Sequence, residues 1–157
     1  PWRIVRVEGA AARAAVRDNF EAMNATALKG YSDDRAALYA RLKLEGLAEA
    51  PVQLAVFCDE ATQQGAGLGA ASMPETRAYS VACAIAGFWL ALRAEGLGLG
   101  WVSILDPVRL GRDLDLPDDW RLVGYLCVGH PAEDNPTPEL QRLGWESRAD
   151  TLVELIR

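Results

Sequence analysis

The apolar residues of this chain gather in four short runs, separated by longer stretches in which they recur at helical spacing. The runs are Trp2–Val7 (WRIVRV), Val52–Cys58 (VQLAVFC), Trp101–Leu105 (WVSIL) and Arg121–Val128 (RLVGYLCV). Their length and β-branched content predict strands. Val52–Cys58 is apolar on both faces, which places it centrally in a sheet, and Gly124 within the fourth run is a candidate bulge. Between the runs, Glu8 to Leu28 is alanine-rich and helical by propensity, with Gly30 and Tyr31 breaking it. Ser32 is an N-cap for a second helix, with Asp33 and Asp34 where the helix dipole favours acids. Leu38, Leu42 and Glu45 mark its turns until Gly46. Asp106-Pro107 reads as N-cap and first residue of a short helix through Asp113. Gly129 to Pro138 carries three prolines and predicts an extended connector, and Leu140 to Arg157 predicts an amphipathic helical tail. Interleaved strands and helices, with no repeat and no second composition, predict a single domain over residues 1–157, α/β or α+β with a mixed sheet.

Met73 to Leu105 carries the most specific pattern. A polar lead-in opens a helix near Thr76 that is about 17 residues long and apolar nearly all round. Gly96, Gly98 and Gly100 follow, then the third strand. This order is helix, glycines, strand. A dinucleotide-binding loop runs strand, glycines, helix and sets phosphate at a helix N-terminus. Glycines at a helix C-terminus instead end the helix and let backbone approach something flat or bulky. Cys83, Gly87 and Ala91 recur every four residues and make one helix face flat enough for a second helix, within the domain or across a dimer. Asp59 to Ser72, with Gly65, Gly67 and Gly69, is a surface loop or a lid.

Composition narrows the chemistry. Half of the 157 residues are hydrophobic, so a true core is expected, and the net charge of −6 with mixed signs argues against nucleic-acid or anionic-membrane binding. The apolar stretch Val81–Leu92 is too short to span a bilayer and is bracketed by Arg77 and Arg93. Cys58, Cys83 and Cys127 lie in apolar runs without C-x-x-C spacing, which reads as buried free thiols in a reducing, cytoplasmic setting. The one histidine, His130, stands in a Gly-His-Pro turn. No zinc spacing, nucleophile elbow or Walker A sequence is present, and Asp33-Asp34 and Asp118-Asp119 are helix-start and turn pairs. Close-approach glycines, five tryptophans and few ionisable groups fit a protein whose chemistry a cofactor carries.

Five segments resemble the nitroreductase-fold flavoproteins, and within them the BluB type, the 5,6-dimethylbenzimidazole synthases: PWRIVRV (Pro1–Val7), LKLEGLAEAPV (Leu42–Val52), MPETRAYSV (Met73–Val81), GLGLGWVSIL (Gly96–Leu105) and LGWESR (Leu143–Arg148). MPE-x-x-x-YS and GLG-x-GWVSIL are the specific ones. The resemblance implies an α+β nitroreductase-like fold, a central mixed sheet flanked by helices, and a homodimer with FMN at the subunit interface. It implies that the helix from Tyr79 lies in the dimer core, that the proline-bearing tail wraps the partner, and that an N-terminal helical portion with phosphate-binding arginines and a catalytic aspartate precedes Pro1. The implied reaction consumes reduced FMN and O2, giving 5,6-dimethylbenzimidazole, the lower ligand of cobalamin, and erythrose 4-phosphate. A flavin reductase or NAD(P)H would supply the electrons. By the same resemblance Ser103 is the catalytic hydroxyl beside the flavin, Trp101 or its backbone lies against the ring, Leu42 and Lys43 line the site, and Arg148 is the candidate phosphate ligand. By residue type alone, Ser103 reads as a backbone-bonded hydroxyl, a reading that the resemblance reverses, and Lys43 and Arg148 read equally as solvated charges. Two other functions fit the same residues: an NAD(P)H-dependent nitro- or quinone reductase that keeps its FMN, and a non-enzymatic FMN-binding protein.

Overall fold

The computed structural model describes residues 1–40, 42, 45–133 and 135–157. The elements run β1 (Trp2–Arg6), α1 (Ala10–Leu28), α2 (Asp33–Tyr39), α3 (Gly46–Glu49), β2 (Val52–Asp59), α4 (Thr76–Ala94), β3 (Gly98–Val102), α5 (Pro107–Asp113), β4 (Trp120–Gly129) and α6 (Glu139–Arg142). The strands form one sheet in the order β1-β2-β4-β3. The α+β class stands, but the expected mixed sheet does not: all three pairings are antiparallel. The helices between strands act as connections that reverse direction, not as parallel crossovers.

Alternation along the strands divides the core. Ala55 and Phe57 of β2, Val102 of β3, and Tyr125 and Cys127 of β4 face α1, α3 and α5. Val56 and Cys58, Leu99, and Leu126 and Val128 face α4 through Val81, Ile85 and Leu92. β2 is central and buried, as its two-sided apolarity requires. A bulge interrupts this alternation at the glycine named for it: Val56 pairs with Gly124 while Phe57 pairs with Leu122, so Val123 is the extra residue.

The glycines divide their labour in a way spacing alone does not reveal. Only Gly96 of the three after α4 has a left-handed backbone, at φ 72°. It closes the helix with two bonds, Gly96 N–H to Arg93 O and Leu97 N–H to Leu92 O. Gly98 and Gly100 belong to β3, opposite Gly129 and Cys127. The strand therefore starts earlier than the expected Trp101–Leu105 and ends at Val102, leaving Ser103 just outside it.

Three further expectations change. The second helix stops at Tyr39, and Gly46 starts a separate one-turn helix drawn against β4, where a Cβ at Gly46 would lie 3.0 Å from Cys127 Cβ. The tail is helical only over Glu139–Arg142, because Gly144, at φ 74°, terminates that turn. Beyond it, Leu152, Val153, Leu155 and Ile156 are exposed and without regular structure, with no surface in the protomer to stabilise a helix. Cys58 and Cys127 are buried as expected, but Cys83 is exposed on α4.

Burial pushes the Cys127 thiol up from 9.0 to about 11, with Arg13 opposing the shift. Below the unfolded value both states hold the proton and the thiol has no effect. Above it the unfolded chain releases its proton first, so the native state loses stability as pH rises towards the folded value. The loss is bounded at about 3 kcal/mol for two pH units. Urea titrations at about pH 8 and about pH 10 should show a steeper loss in the wild type than in Cys127→Ser, which no longer titrates there.

Candidate functional site

β3 is an edge strand, and its two faces differ. Gly98 and Gly100 present no side chain on the α3 side, and Gly100 is exposed beside Cys127, against which Gly46 is packed. The result is bare backbone at Gly100, with Pro131 beside Gly98 and Gly46, at the start of α3, across Cys127. On the other face, the Trp101 indole lies across Gly124 at the bulge, where a Cβ would fall 2.6 Å from Cε2 and closer still to Nε1. Trp101 is thus half-buried on the α4 side, and its backbone, not its ring, adjoins the glycine surface.

Ser103 is exposed where the chain leaves β3. Two anchors fix the turn that follows. Leu105 is buried in the α1–α5 core, and Asp106 caps α5 by accepting from Val108 N–H and Arg109 N–H, both at 3.0 Å. A buried network fixes the facing segment. Tyr125 Oη donates to Gln53 Oε1 at 2.7 Å, and Gln53 Nε2 donates to Leu47 O at 3.0 Å, tying α3 through β2 to β4. Burial raises the Tyr125 phenol well above its usual range, which keeps it a neutral donor.

Leu42 is half-buried and its N–H donates to Tyr39 O at 3.0 Å. Tyr39 packs with Tyr31 at 5.0 Å between ring centroids and with Trp145 at 5.9 Å, while Arg35 stacks 4.1 Å over Trp145. Gly144 delivers Trp145 to this cluster, because Trp145 N–H returns to Leu140 O. Leu42 and Arg148 therefore each hang three residues from one aromatic cluster. Arg148 is exposed, with no ion-pair partner among the described residues. Lys43 lies outside the described residues. Trp101 lies on β3 and Ser103 just beyond its end, whereas Leu42 and Arg148 are joined to the aromatic cluster only through the chain, each three residues from one of its members. Asn19, Gly46, Gln53 and Tyr125 were missed as supports for these positions. Trp145 had a signal in its LGWESR segment, whereas the polar residues inside α1 and β2 reveal their partners only through long-range contacts.

Among the described residues no group of three or more His, Cys, Asp or Glu could hold a metal ion, and no helix is long and apolar enough to cross a membrane. The exposed Ser103 hydroxyl stands beside the bare backbone of β3.

These features define a class. The Nitroreductase family model matches residues 1–130, and the chain belongs to that family. Within it, the chain is 60% identical over 148 residues to the 5,6-dimethylbenzimidazole synthase of Rhodospirillum rubrum, covering 94% of this chain and 70% of that enzyme. It is 49% identical over 151 residues to the Rhodobacter capsulatus enzyme of the same name, covering 96% and 73%. Solved structures agree on the fold. Oxidized iodotyrosine deiodinase bound to FMN and 3-iodo-L-tyrosine superposes with a TM-score of 0.72 at 23% identity, over 100% of this chain and 77% of that one. A BluB-like flavoprotein from Clostridium difficile 630 gives 0.60 at 19% identity, over 88% and 74%.

Proposed function

We propose that this chain is a 5,6-dimethylbenzimidazole synthase that takes reduced FMN as its substrate and, with O2, fragments it to 5,6-dimethylbenzimidazole and erythrose 4-phosphate. The 60% identity with the Rhodospirillum rubrum synthase across 94% of the chain carries this reading. The residues present fit the substrate. A Cβ at Gly100 would project from the one stretch of β3 that lacks side chains, so glycine there keeps a flat approach open to a ring system. Bound reduced flavin supplies the electrons for O2 itself, which agrees with a site poor in acids and bases.

The protein's part is then to hold, orient and exclude. Gly98 and Gly100 give the ring a backbone surface, and Trp101 keeps β3 in place by packing over Gly124. Leu42 and Lys43 line the site beside the flavin, and Arg148 supplies a cation for the phosphate. The Ser103 hydroxyl, exposed and clear of secondary structure, bonds the reacting ring system. A flavin reductase or NAD(P)H delivers reducing equivalents to the flavin before it is consumed.

A homodimer completes the site. Trp2 and Ile4 of β1 and Phe88 of α4 are exposed and line an apolar groove of about 220 Å³, while Tyr79, Trp89 and Leu90 are exposed elsewhere on α4. An apolar surface of this kind marks a protein interface. Leu90 is 75% exposed, so Leu90→Asp costs the protomer little packing. In sedimentation, the wild type is expected as a dimer and Leu90→Asp as a monomer that takes up FMN poorly. A monomeric wild type that binds FMN fully overturns the dimeric arrangement.

The activity is tested by exposing reduced FMN to air with the protein and following the products by mass spectrometry. Stoichiometric 5,6-dimethylbenzimidazole supports the synthase. Intact FMN recovered after many turnovers, with steady NAD(P)H consumption on a nitroaromatic, identifies a reductase instead. FMN uptake with neither product identifies a binding protein.

A further inference from the structure

Three buried polar side chains stand out among the described residues: Asn19, Gln53 and Asp59. Asp59 is ion-paired with Arg3, and Gln53 joins β2 to α3 and β4. Asn19, fully buried on α1, spends its whole amide on one backbone residue 87 positions away. Its Nδ2 donates to Asp106 O at 3.0 Å, and its Oδ1 accepts from Asp106 N–H at 2.8 Å. The pair imitates a rung of sheet pairing between a helix and a turn. With the Asp106 carboxylate also capping α5, every polar group of that residue except one carboxylate oxygen has a fixed partner.

Resting on the synthase reading, we propose that Asn19 is a positioning residue for Ser103. The segment from Ser103 to Asp106, of which only Ser103 is exposed, is held at one end by Val102, which is paired with Tyr125 in the sheet. At the other end it is held by buried Leu105 and the Asn19 clamp. Packing alone would favour an aliphatic side chain at position 19, since Val16 on the same helix lies in that core. A buried amide has to recover its lost hydration, and here it does so only through Asp106. Without the clamp, Asp106 N–H loses its partner and Asp106 O keeps only Leu110 N–H, so the turn must move to find water for the orphaned donor. Ser103, three residues upstream, moves with it.

A double-mutant cycle separates positioning from general stability. Affinity for oxidised FMN, read by quenching of flavin fluorescence, and 5,6-dimethylbenzimidazole formed per FMN oxidised are measured for wild type, Asn19→Leu, Ser103→Ala and the double variant. Loss of one hydrogen bond to the flavin is expected to weaken FMN about fivefold in Ser103→Ala. Asn19→Leu is expected to do the same and to lower the product yield, and the double variant is expected to match Ser103→Ala alone. Asn19→Asp keeps the side chain's shape and the bond from Asp106 N–H but opposes Asp106 O. It repeats the measurement should leucine prevent folding. Equal losses from the Asn19 substitution with and without the serine overturn the inference while leaving the serine's role intact. A Ser103→Ala variant with wild-type affinity and yield overturns the serine's role first, and the inference with it.

Discussion

Ser103→Ala is expected to cut 5,6-dimethylbenzimidazole yield by about 100-fold or more while the protein folds normally and still takes up FMN within an order of magnitude of the wild type. Ser103 is exposed and outside β3, so its hydroxyl supports no packing and the substitution should alter stability by no more than about 0.5 kcal/mol. Any large effect on product must therefore arise in the chemistry. Ser103→Thr retains the hydroxyl and should recover part of the yield. The measurement is product per FMN oxidised, by mass spectrometry, alongside a urea melt. Wild-type yield from the alanine variant removes Ser103 from the reaction.

The second large effect is structural and lies behind the site. A Cβ at Gly124 would fall 2.6 Å from Trp101 Cε2, and the indole is a rigid plane rather than a flexible chain end. Gly124→Ala must push the ring or the bulge aside, at a cost of about 2–3 kcal/mol in urea denaturation. Because Trp101 belongs to the edge strand that carries Gly100 and leads to Ser103, FMN affinity should fall with stability. Trp101→Leu, combined with Gly124→Ala, vacates the clash and should restore most of the lost stability. Gly111→Ala on α5 is the control of opposite sign: nothing lies within 4 Å of its Cβ, and alanine there should stabilise by up to about 1 kcal/mol. Equal responses at the two glycines would remove the Trp101 contact as the cause.

The sheet was legible wherever burial alone decides the pattern. β2, β4 and α4 follow apolar runs that nothing else explains, and the Asp106-Pro107 cap formed as its chemistry requires. The family, too, stood in the wording of Gly96–Leu105. Strand direction was not legible, because interleaved helices are compatible with either parallel or antiparallel neighbours. The start of β3 was missed because a glycine looks the same in a turn and in a strand. Only the φ of Gly96 and the partners of Gly98 and Gly100 separate the two uses. The tail failed for a different reason: amphipathic spacing predicts a helix only where a surface receives the apolar side, and Leu152 to Ile156 meet none within one protomer. In the candidate site, the roles given to Ser103 and Trp101 came from the family resemblance and not from their residue types. The supports were not visible, since Asn19 and Gln53 act on residues far away in sequence.

The spare residue in β4 sets a rule for how this protein can diverge. Leu122 and Tyr125 are three apart yet pack on the same side, because Val123 takes up the odd step. Deleting Val123 would bring Leu122 and Tyr125 to the two-residue spacing of plain alternation, keeping both on the same side and removing only the local twist of the bulge. The strand can therefore shed its spare residue and keep its facing, whereas losing a second residue there would turn the Trp120–Leu122 half over and expose its interior side.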